Sequence, residues 1–394
     1  MSKLSFFRDF SPATLITGFV AVLVGYASSV AIILQAVAAI GVEPAQIGAW
    51  LSMLGVGMGI TTMGLSLYYR TPILTAWSTP GIALLATNLP NTSVNEAIGI
   101  FIFASALMLI CGVTGLFARL MNYIPHTIAA AMLAGILLHF GLDAFAMLQV
   151  NFWLCGAMLL VYLIFRRYFP LYAIISTLAA GLVICILSGD LTLAGENVMF
   201  SMPEFVMPQF SATTLIGVGI PFFIVTMASQ NAPGIATLQA AGYPPRASKL
   251  LIWTSLMAMI LAPFGGFSIC IAAITAAICM GSDVHPDPNK RYVAAVSAGF
   301  FYLLAGIFGG AIFYLFSAFP APLIKILAGL ALLGTFTNSL NQAIRDDHTR
   351  DAAIICFLVT ASGANVLGIS SAFWGLIGGI MAHSVLKKRT KIKK

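Results

Sequence analysis

Trp77-Ser78-Thr79-Pro80-Gly81 and Phe267-Ser268-Ile269-Cys270-Ile271 decide the reading of this chain. Each lies inside an apolar segment and interrupts the helix that such a segment would otherwise form. Ser78-Thr79 followed by Pro80 is a helix start, because a hydroxyl caps the first free N–H groups and proline suits the first helical turn. Upstream of it, Pro72–Ser78 suits extended backbone. The second stretch follows Pro263, Gly265 and Gly266 and leads into a helical Ala272–Met280. Both therefore read as extended chain turning into a half-length helix. About seven extended residues cover roughly 23 Å and a nine-residue helix roughly 13 Å. That is enough to cross a hydrocarbon layer of ~30 Å. Extended backbone in lipid would leave polar groups unpaired, so the two stretches must pair with each other or line a protein-enclosed cavity. The competing reading, a proline-kinked full helix packed by glycines, stays open on sequence alone.

The surrounding chain has 394 residues, 60% hydrophobic and 8% charged. Soluble domains carry about 25% charged residues, so this composition is that of a polytopic, all-α membrane protein. Apolar runs between polar breaks give fourteen segments: 12–40, 44–68, 71–88, 93–118, 123–141, 145–165, 170–189, 211–241, 247–263, 264–281, 290–317, 320–341, 349–363 and 370–387. The first run far exceeds the ~7–15 residue core of a signal peptide and stays as a span. With the N-terminus cytoplasmic, odd-to-even loops fall outside and hold Glu43, Glu96, Asp143, Asp190, Glu196 and Glu204, with no Lys or Arg. Eighteen of nineteen basic residues fall inside, and Lys325 is the exception, near the outer end of its span. A miscounted span would invert part of this pattern, so the positive-inside rule supports fourteen segments with both termini cytoplasmic. Twelve full spans remain an alternative if both interrupted segments are re-entrant.

The formal charge of +7 comes from this bias and from the tail Lys387–Lys394, not from a nucleic-acid surface. Six cysteines in apolar segments, without ligand-like spacing, read as small core residues. No P-loop, HExxH, GxSxG or dinucleotide fingerprint occurs, so neither an enzyme nor an ATP-driven pump is indicated, and no cofactor or metal is expected.

Seven spans is an odd number, so two seven-span halves have opposite orientation. Weak internal similarity agrees: Trp77-Ser78 through Ala83 echo Phe267-Ser268 through Ala273 at an offset of 190 residues, and Ala27-Ser28 echo Ala228-Ser229. Interrupted segments at matching places in inverted halves mark the binding site of a secondary transporter. The reason is electrostatic. A helix N-terminus offers unpaired N–H groups and about half a positive charge, so two of them facing one cavity hold an anion without Lys or Arg.

The expected donors are the main-chain N–H groups of Gly81, Ile82, Ile271 and Ala272, with the hydroxyls of Ser78, Thr79 and Ser268, and with Pro80, Ile269 and Cys270 in the same two stretches. Tyr26, Trp77 and Phe267 supply apolar contacts, and Tyr26, Ser28 and Ser29 occupy the first segment where Ser229-Gln230-Asn231-Ala232-Pro233-Gly234 interrupts the eighth. Gln230 and Asn231 are costly facing lipid. They read as cavity-lining hydrogen-bond groups or as interhelical glue. No Asp or Glu lies deep in a segment, so proton coupling falls to Glu96 at a mouth, to His126 or His139 near opposite ends of the fifth segment, or to the substrate's own acid group. Gly55 to Gly59 and Gly306 to Gly310 read as close-packing glycines.

At Tyr26-Ala27-Ser28-Ser29, Thr75-Ala76-Trp77-Ser78-Thr79-Pro80-Gly81 and Thr226 to Gly234, the chain resembles the benzoate/proton symporter (BenE) family of bacterial inner-membrane carriers. Pro125-His126 through Gly135-Ile136 and Ser370-Ser371-Ala372-Phe373-Trp374-Gly375 resemble it too. The resemblance implies the fold shared with uracil/proton symporters and sulfate/anion transporters, with fourteen spans in a seven-plus-seven inverted repeat. It implies a core domain from spans 1–4 and 8–11 (residues 1–120 and 211–318) and a gate domain from spans 5–7 and 12–14 (residues 121–190 and 319–388). An extracytoplasmic loop at 191–210 joins the halves, and 389–394 form a basic cytoplasmic tail. In the uracil branch acidic side chains on spans 8 and 10 bind substrate. Here Gln230/Asn231 and Ile269–Ile271 stand in those places, which favours an anion.

The expected activity is import of benzoate, or a similar aromatic carboxylate, with a proton by alternating access. Expected partners are that anion, the proton, the lipid bilayer and a second copy through the gate domain. The alternatives are an exchanger or channel-like carrier of small anions, and a membrane receptor or scaffold without flux.

Overall fold

The structure, a computed structural model, describes residues 9–88, 92–116, 125–191, 201–244, 246–281, 284–364, 366–367 and 370–386. Lys3, Arg8, Arg119, Glu196 and the basic tail from 387 on lie outside them, as do residues 192–200 of the 191–210 connection. The described residues form an all-α polytopic membrane fold. Seven helices are long and apolar enough to cross a bilayer, and a bent pair makes an eighth candidate.

In chain order the helices are α1 (Pro12–Ile40), α2 (Pro44–Tyr69), α3 (Thr79–Asn88), α4 (Val94–Thr114), α5 (His126–Val150), α6 (Phe152–Tyr168) and α7 (Ala173–Ser188). The second half has α8 (Ala212–Gln239), α9 (Ala247–Leu261), α10 (Ile274–Met280), α11 (Tyr292–Ile307), α12 (Gly309–Ser317), α13 (Ala321–Ile344), α14 (Arg350–Ala361) and α15 (Ser371–Leu386). Local signals set several starts. Ser11 and Ser93 each close a capping box, at α1 and α4, and Pro44 opens α2.

Two two-residue strands complete the fold: β1 (Thr75–Ala76) precedes α3 and β2 (Cys270–Ile271) precedes α10. They pair antiparallel, Thr75 with Ile271 and Ala76 with Cys270. The two interrupted stretches thus satisfy one another's backbone at the centre of the protein.

Packing divides by sequence position. In one group α2 lies along α11, α4 along α9 and α1 against α11; in the other α5 lies along α13, α14 along α15 and α6 along α7. The α2–α11 contact is backbone on backbone, since a Cβ on Gly55 would stand 2.5 Å from the Cα of Gly306. Those glycines permit the approach that small residues allow between membrane helices. All six cysteines are buried and unpaired with one another.

Several boundaries differ from the sequence reading. The fifth segment does not stop at Gly141: α5 continues to Val150, and the break comes at Asn151, whose Oδ1 caps the N–H of Leu154 at 3.1 Å. Glycine inside a helix costs only about 1 kcal/mol, so it did not end this one. His139 consequently sits in mid-helix, and Asp143 lies on α5 rather than in a loop. Asp143 meets Lys325 of α13 at 3.7 Å, which gives the one basic residue outside the cytoplasmic pattern a partner. The eleventh segment is broken at Phe308, with a 67° bend.

The internal offset also changes. Sequence similarity relates the interrupted stretches at 190 residues, and in both a two-residue strand precedes a short helix, with element starts 195 residues apart (270 − 75 and 274 − 79). Shifting Thr75–Ile271 by 195 gives Cys270–Ala76, the other pair of the ladder. A local two-fold axis therefore passes through the ladder's centre.

Candidate functional site

The extended stretch before α3 is held from α2. Thr61 and Thr62 place their hydroxyls 2.7 and 2.8 Å from that of Thr75, and the Thr75 N–H donates to Thr62 Oγ1 at 3.0 Å. One turn on, Ser66 accepts the Ile73 N–H at 3.2 Å and donates to the Ile73 carbonyl at 2.8 Å. This row of buried hydroxyls replaces the backbone partners that a helix would have supplied.

The two halves then lock together. The Ser78 N–H donates to Ser268 Oγ at 3.2 Å, Ser78 Oγ accepts the Gly81 N–H at 3.1 Å, and Thr226 Oγ1 donates to Ser78 Oγ at 3.2 Å. The Ala272 N–H donates to the Leu74 carbonyl at 2.9 Å and the Ile82 N–H to the Ser78 carbonyl at 2.8 Å. Asn231 accepts the Ile271 N–H on Oδ1 at 3.0 Å, and its amide nitrogen faces the sulfurs of Met227 and Met108.

This corrects the expected donor set. The N–H groups of Gly81, Ile82, Ile271 and Ala272 are each already bonded within the protein, and Ser78, Ser268 and Asn231 are fully buried braces. A half-buried strand crossing must satisfy its own backbone first, and these residues do that.

The eighth segment keeps its helix through Asn231-Ala232-Pro233-Gly234 by widening: Met227–Asn231 is a π turn, as is Leu215–Gly219. Such turns insert an extra residue and re-aim side chains, often at functional sites. Here the turn directs Asn231 back to Ile271, while Ser229 and Gln230 line a cavity. Gly234 lets α8 approach β2, since a Cβ there would lie 2.5 Å from the Ile271 carbonyl oxygen.

That cavity has a volume of about 510 Å³. Ser29 of α1, Thr79 and Pro80 at the start of α3, Gln230 of α8, and Ala273 and Ile274 at the start of α10 form one wall. His126 of α5, Arg166 of α6, Ile174 of α7, and Asn338 and Gln342 of α13 stand on the opposite wall. Among the described residues lining it there is no carboxylate, and Arg166 is the only side chain with a permanent charge. Ser29 Oγ and Thr79 Oγ1 are 3.0 Å apart. A side pocket of about 100 Å³ shares Ser29, Thr79 and Gln230 with the cavity and continues between Trp77, Ala272 and Tyr302.

The structure thus brings six of the expected residues, Ser29, Trp77, Thr79, Pro80, Gln230 and Ala272, to open space, and His126 with them. Tyr26 stands behind Trp77, edge to face at 4.9 Å between centroids, and Phe267 packs on Phe101 at 5.6 Å. Gly81, Ile82, Ile269, Cys270 and Ile271 are buried in the packing around the ladder; the side chain of Ser28 lies outside the described residues. Glu96 closes the α4 capping box, its carboxylate accepting the Ser93 N–H at 3.2 Å, and neither it nor His139 lines the cavity.

Gly25, Tyr302, Arg166 and Asn338 were not singled out from sequence as lining residues. Nothing in Gly25 or Tyr302 distinguishes it locally from helix-packing residues, and Arg166 read only as topology charge. The signal available for Asn338 and Gln342 was polarity four residues apart on one helix, which places both on one face.

With this geometry in hand, the chain can be set beside known proteins. The family profile described as "Benzoate membrane transport protein" matches residues 8–385. "Inner membrane protein YdcO" of Escherichia coli (strain K12) is 54% identical over 375 residues, covering 95% of this chain and 96% of that protein. "Benzoate membrane transport protein" of Acinetobacter baylyi is 38% identical over 381 residues, covering 97% of each. Among solved structures, the transmembrane domain of the cyanobacterial bicarbonate transporter BicA matches with a TM-score of 0.60 at 15% identity, over 94% of this chain and 96% of that one. SLC26A9 matches with a TM-score of 0.64 at 13% identity, over 97% of this chain and 67% of that one. At such identities these two likenesses concern the fold alone.

Proposed function

The chain belongs to the benzoate membrane transport protein family, and from that premise we propose that it is a secondary transporter, not an enzyme, importing benzoate or a similar aromatic carboxylate with a proton. One observation carries the reading: a cavity with no carboxylate among the described residues that line it meets hydroxyls and an amide where two broken helices start. Thr79 Oγ1 and Ser29 Oγ hold the carboxylate, and the Gln230 amide donates a further hydrogen bond. Thr79 is also the first residue of α3, so the helix dipole adds about 0.3–1 kcal/mol for an anion there, up to ~2 kcal/mol when partly buried. Trp77 supplies an apolar wall.

The proposed architecture has fourteen spans in two inverted halves, with spans 3 and 10 built as strand plus half-helix. Support comes from the same order of strand and short helix in both halves and from the matched packing of α2 on α11 and α4 on α9. Residues 1–120 and 211–318 form the core domain that carries the substrate, and residues 121–190 and 319–388 the gate domain it moves against. The cavity lies between the two. Its rim residues His126, Arg166 and Gln342 belong to the cytoplasmic side of the charge pattern, so this conformation opens inward. The protein sits in a bacterial inner membrane with both termini cytoplasmic, and pairs with a second copy through the gate domain.

His126 is our candidate proton carrier, being the one imidazole among the described residues that line the cavity. Purified protein in vesicles tests the whole reading. Benzoate uptake should saturate and be stimulated by an inward proton gradient. Uptake indifferent to that gradient but dependent on an internal counter-anion would instead identify an exchanger.

A further inference from the structure

We propose that the side pocket is the ring subsite of this transporter, and that Gly25 and Tyr302, which both line it, set the largest ring substituent the protein accepts. The inference rests on the aromatic carboxylate reading above and specifies how that substrate lies. The pocket joins the main cavity at Ser29, Thr79 and Gln230, so a carboxylate held there directs whatever it carries inward, between Trp77 and Ala272. An enclosed apolar cavity of about 150 Å³ accepts benzene. This pocket holds about 100 Å³ and shares Ser29, Thr79 and Gln230 with the main cavity, so the two together have space for one ring and a small substituent.

Two of its lining residues bear on its size. Tyr302 is almost completely buried, which leaves its ring little freedom to turn. A Cβ built on Gly25 would come no closer than 3.5 Å to the Tyr302 hydroxyl and 3.6 Å to Thr275 Cγ2. Alanine therefore fits at position 25 without moving a neighbour, and it takes up pocket space. The glycine is not required by tight packing, unlike Gly55 or Gly234, nor by a left-handed backbone. Its hydrogen atom keeps room at the end of the ring's axis, where a para substituent would lie.

The test compares benzoate with 4-methylbenzoate as competitors for labelled benzoate on the purified full-length protein, in the wild type, Gly25→Ala and Tyr302→Phe. The expected result for Gly25→Ala is an unchanged or higher melting temperature and a fall of at least fivefold in the affinity ratio of 4-methylbenzoate to benzoate. Tyr302→Phe, which removes an oxygen from the pocket lining, should move the ratio the opposite way by at least twofold. Ratios within twofold of wild type in both variants, with benzoate still bound, overturn the ring subsite and leave the transport reading standing. If Gly25→Ala fails to fold, the direction of the Tyr302→Phe shift decides. A wild type that binds neither compound overturns the transport reading itself.

Discussion

Replacing Thr79 by valine isolates the hydroxyl that the account asks most of. Thr79 opens α3, lines both the cavity and its side pocket, and stands 3.0 Å from Ser29 Oγ. Valine keeps the branched shape and leaves the Ser78 cap on the Gly81 N–H in place. A hydrogen bond to a charged group contributes about 1.5–3 kcal/mol, and 1.4 kcal/mol is a factor of ten in affinity. Benzoate should therefore bind Thr79→Val about 10–150-fold more weakly, toward the lower figure because Ser29 still contributes its hydroxyl. Losing the Ser29 partner costs the fold only about 0.5–1.5 kcal/mol, so the variant should remain folded. Titration calorimetry on the purified protein, with a thermal melt as a folding control, measures both. Ser78→Ala gives the contrast. Ser78 is sealed inside the packing, and its loss strips partners from Gly81 and Thr226, so it should lower the melting temperature more than Thr79→Val and the affinity less. A folded Thr79→Val that binds benzoate within twofold of wild type would refute the placement of the carboxylate.

Asn231→Ala leaves the buried Ile271 N–H without its acceptor and should destabilise the protein by about 1–3 kcal/mol, read as a lower melting temperature; an unchanged one would mean that the Asn231 brace carries no weight. Gly234→Ala drives a methyl against the Ile271 carbonyl and should cost about 1–3 kcal/mol, so wild-type stability there would contradict the close approach of α8 to β2. His126→Gln should keep benzoate binding while losing most of the stimulation of uptake by an inward proton gradient; full stimulation in this variant removes His126 as the carrier.

Much of the fold was legible because membrane segments announce themselves by length and charge. The run 12–40 and the helix Pro12–Ile40 coincide, and Ser78-Thr79-Pro80 marked the start of α3 within a residue. Where the reading went astray, local signals were weak against tertiary ones. The fifth segment ends at 141 in the sequence reading, yet α5 runs on to Val150 along α13, past the Asp143–Lys325 contact.

At the site, residue types pointed to the right neighbourhood without telling braces from lining. Gln230 and Asn231 are adjacent and both costly in lipid, but only the π turn separates them, one toward the cavity and one toward the Ile271 N–H. The backbone donors were misjudged for a related reason. Extended chain in an apolar interior consumes its own N–H groups, and it is the hydroxyls of Ser29 and Thr79 that line the cavity. Gly25 was invisible, since its role depends on a tyrosine far along the chain.

The most direct test of the central claim is the initial rate of labelled benzoate entry into vesicles carrying the purified protein, minus the rate into empty vesicles of the same lipid, under an inward proton gradient. The subtraction removes benzoic acid that crosses the lipid unaided. The account predicts a saturable, gradient-stimulated difference that is lost in Thr79→Val. Equal rates in loaded and empty vesicles, from a protein that still binds benzoate, would contradict it.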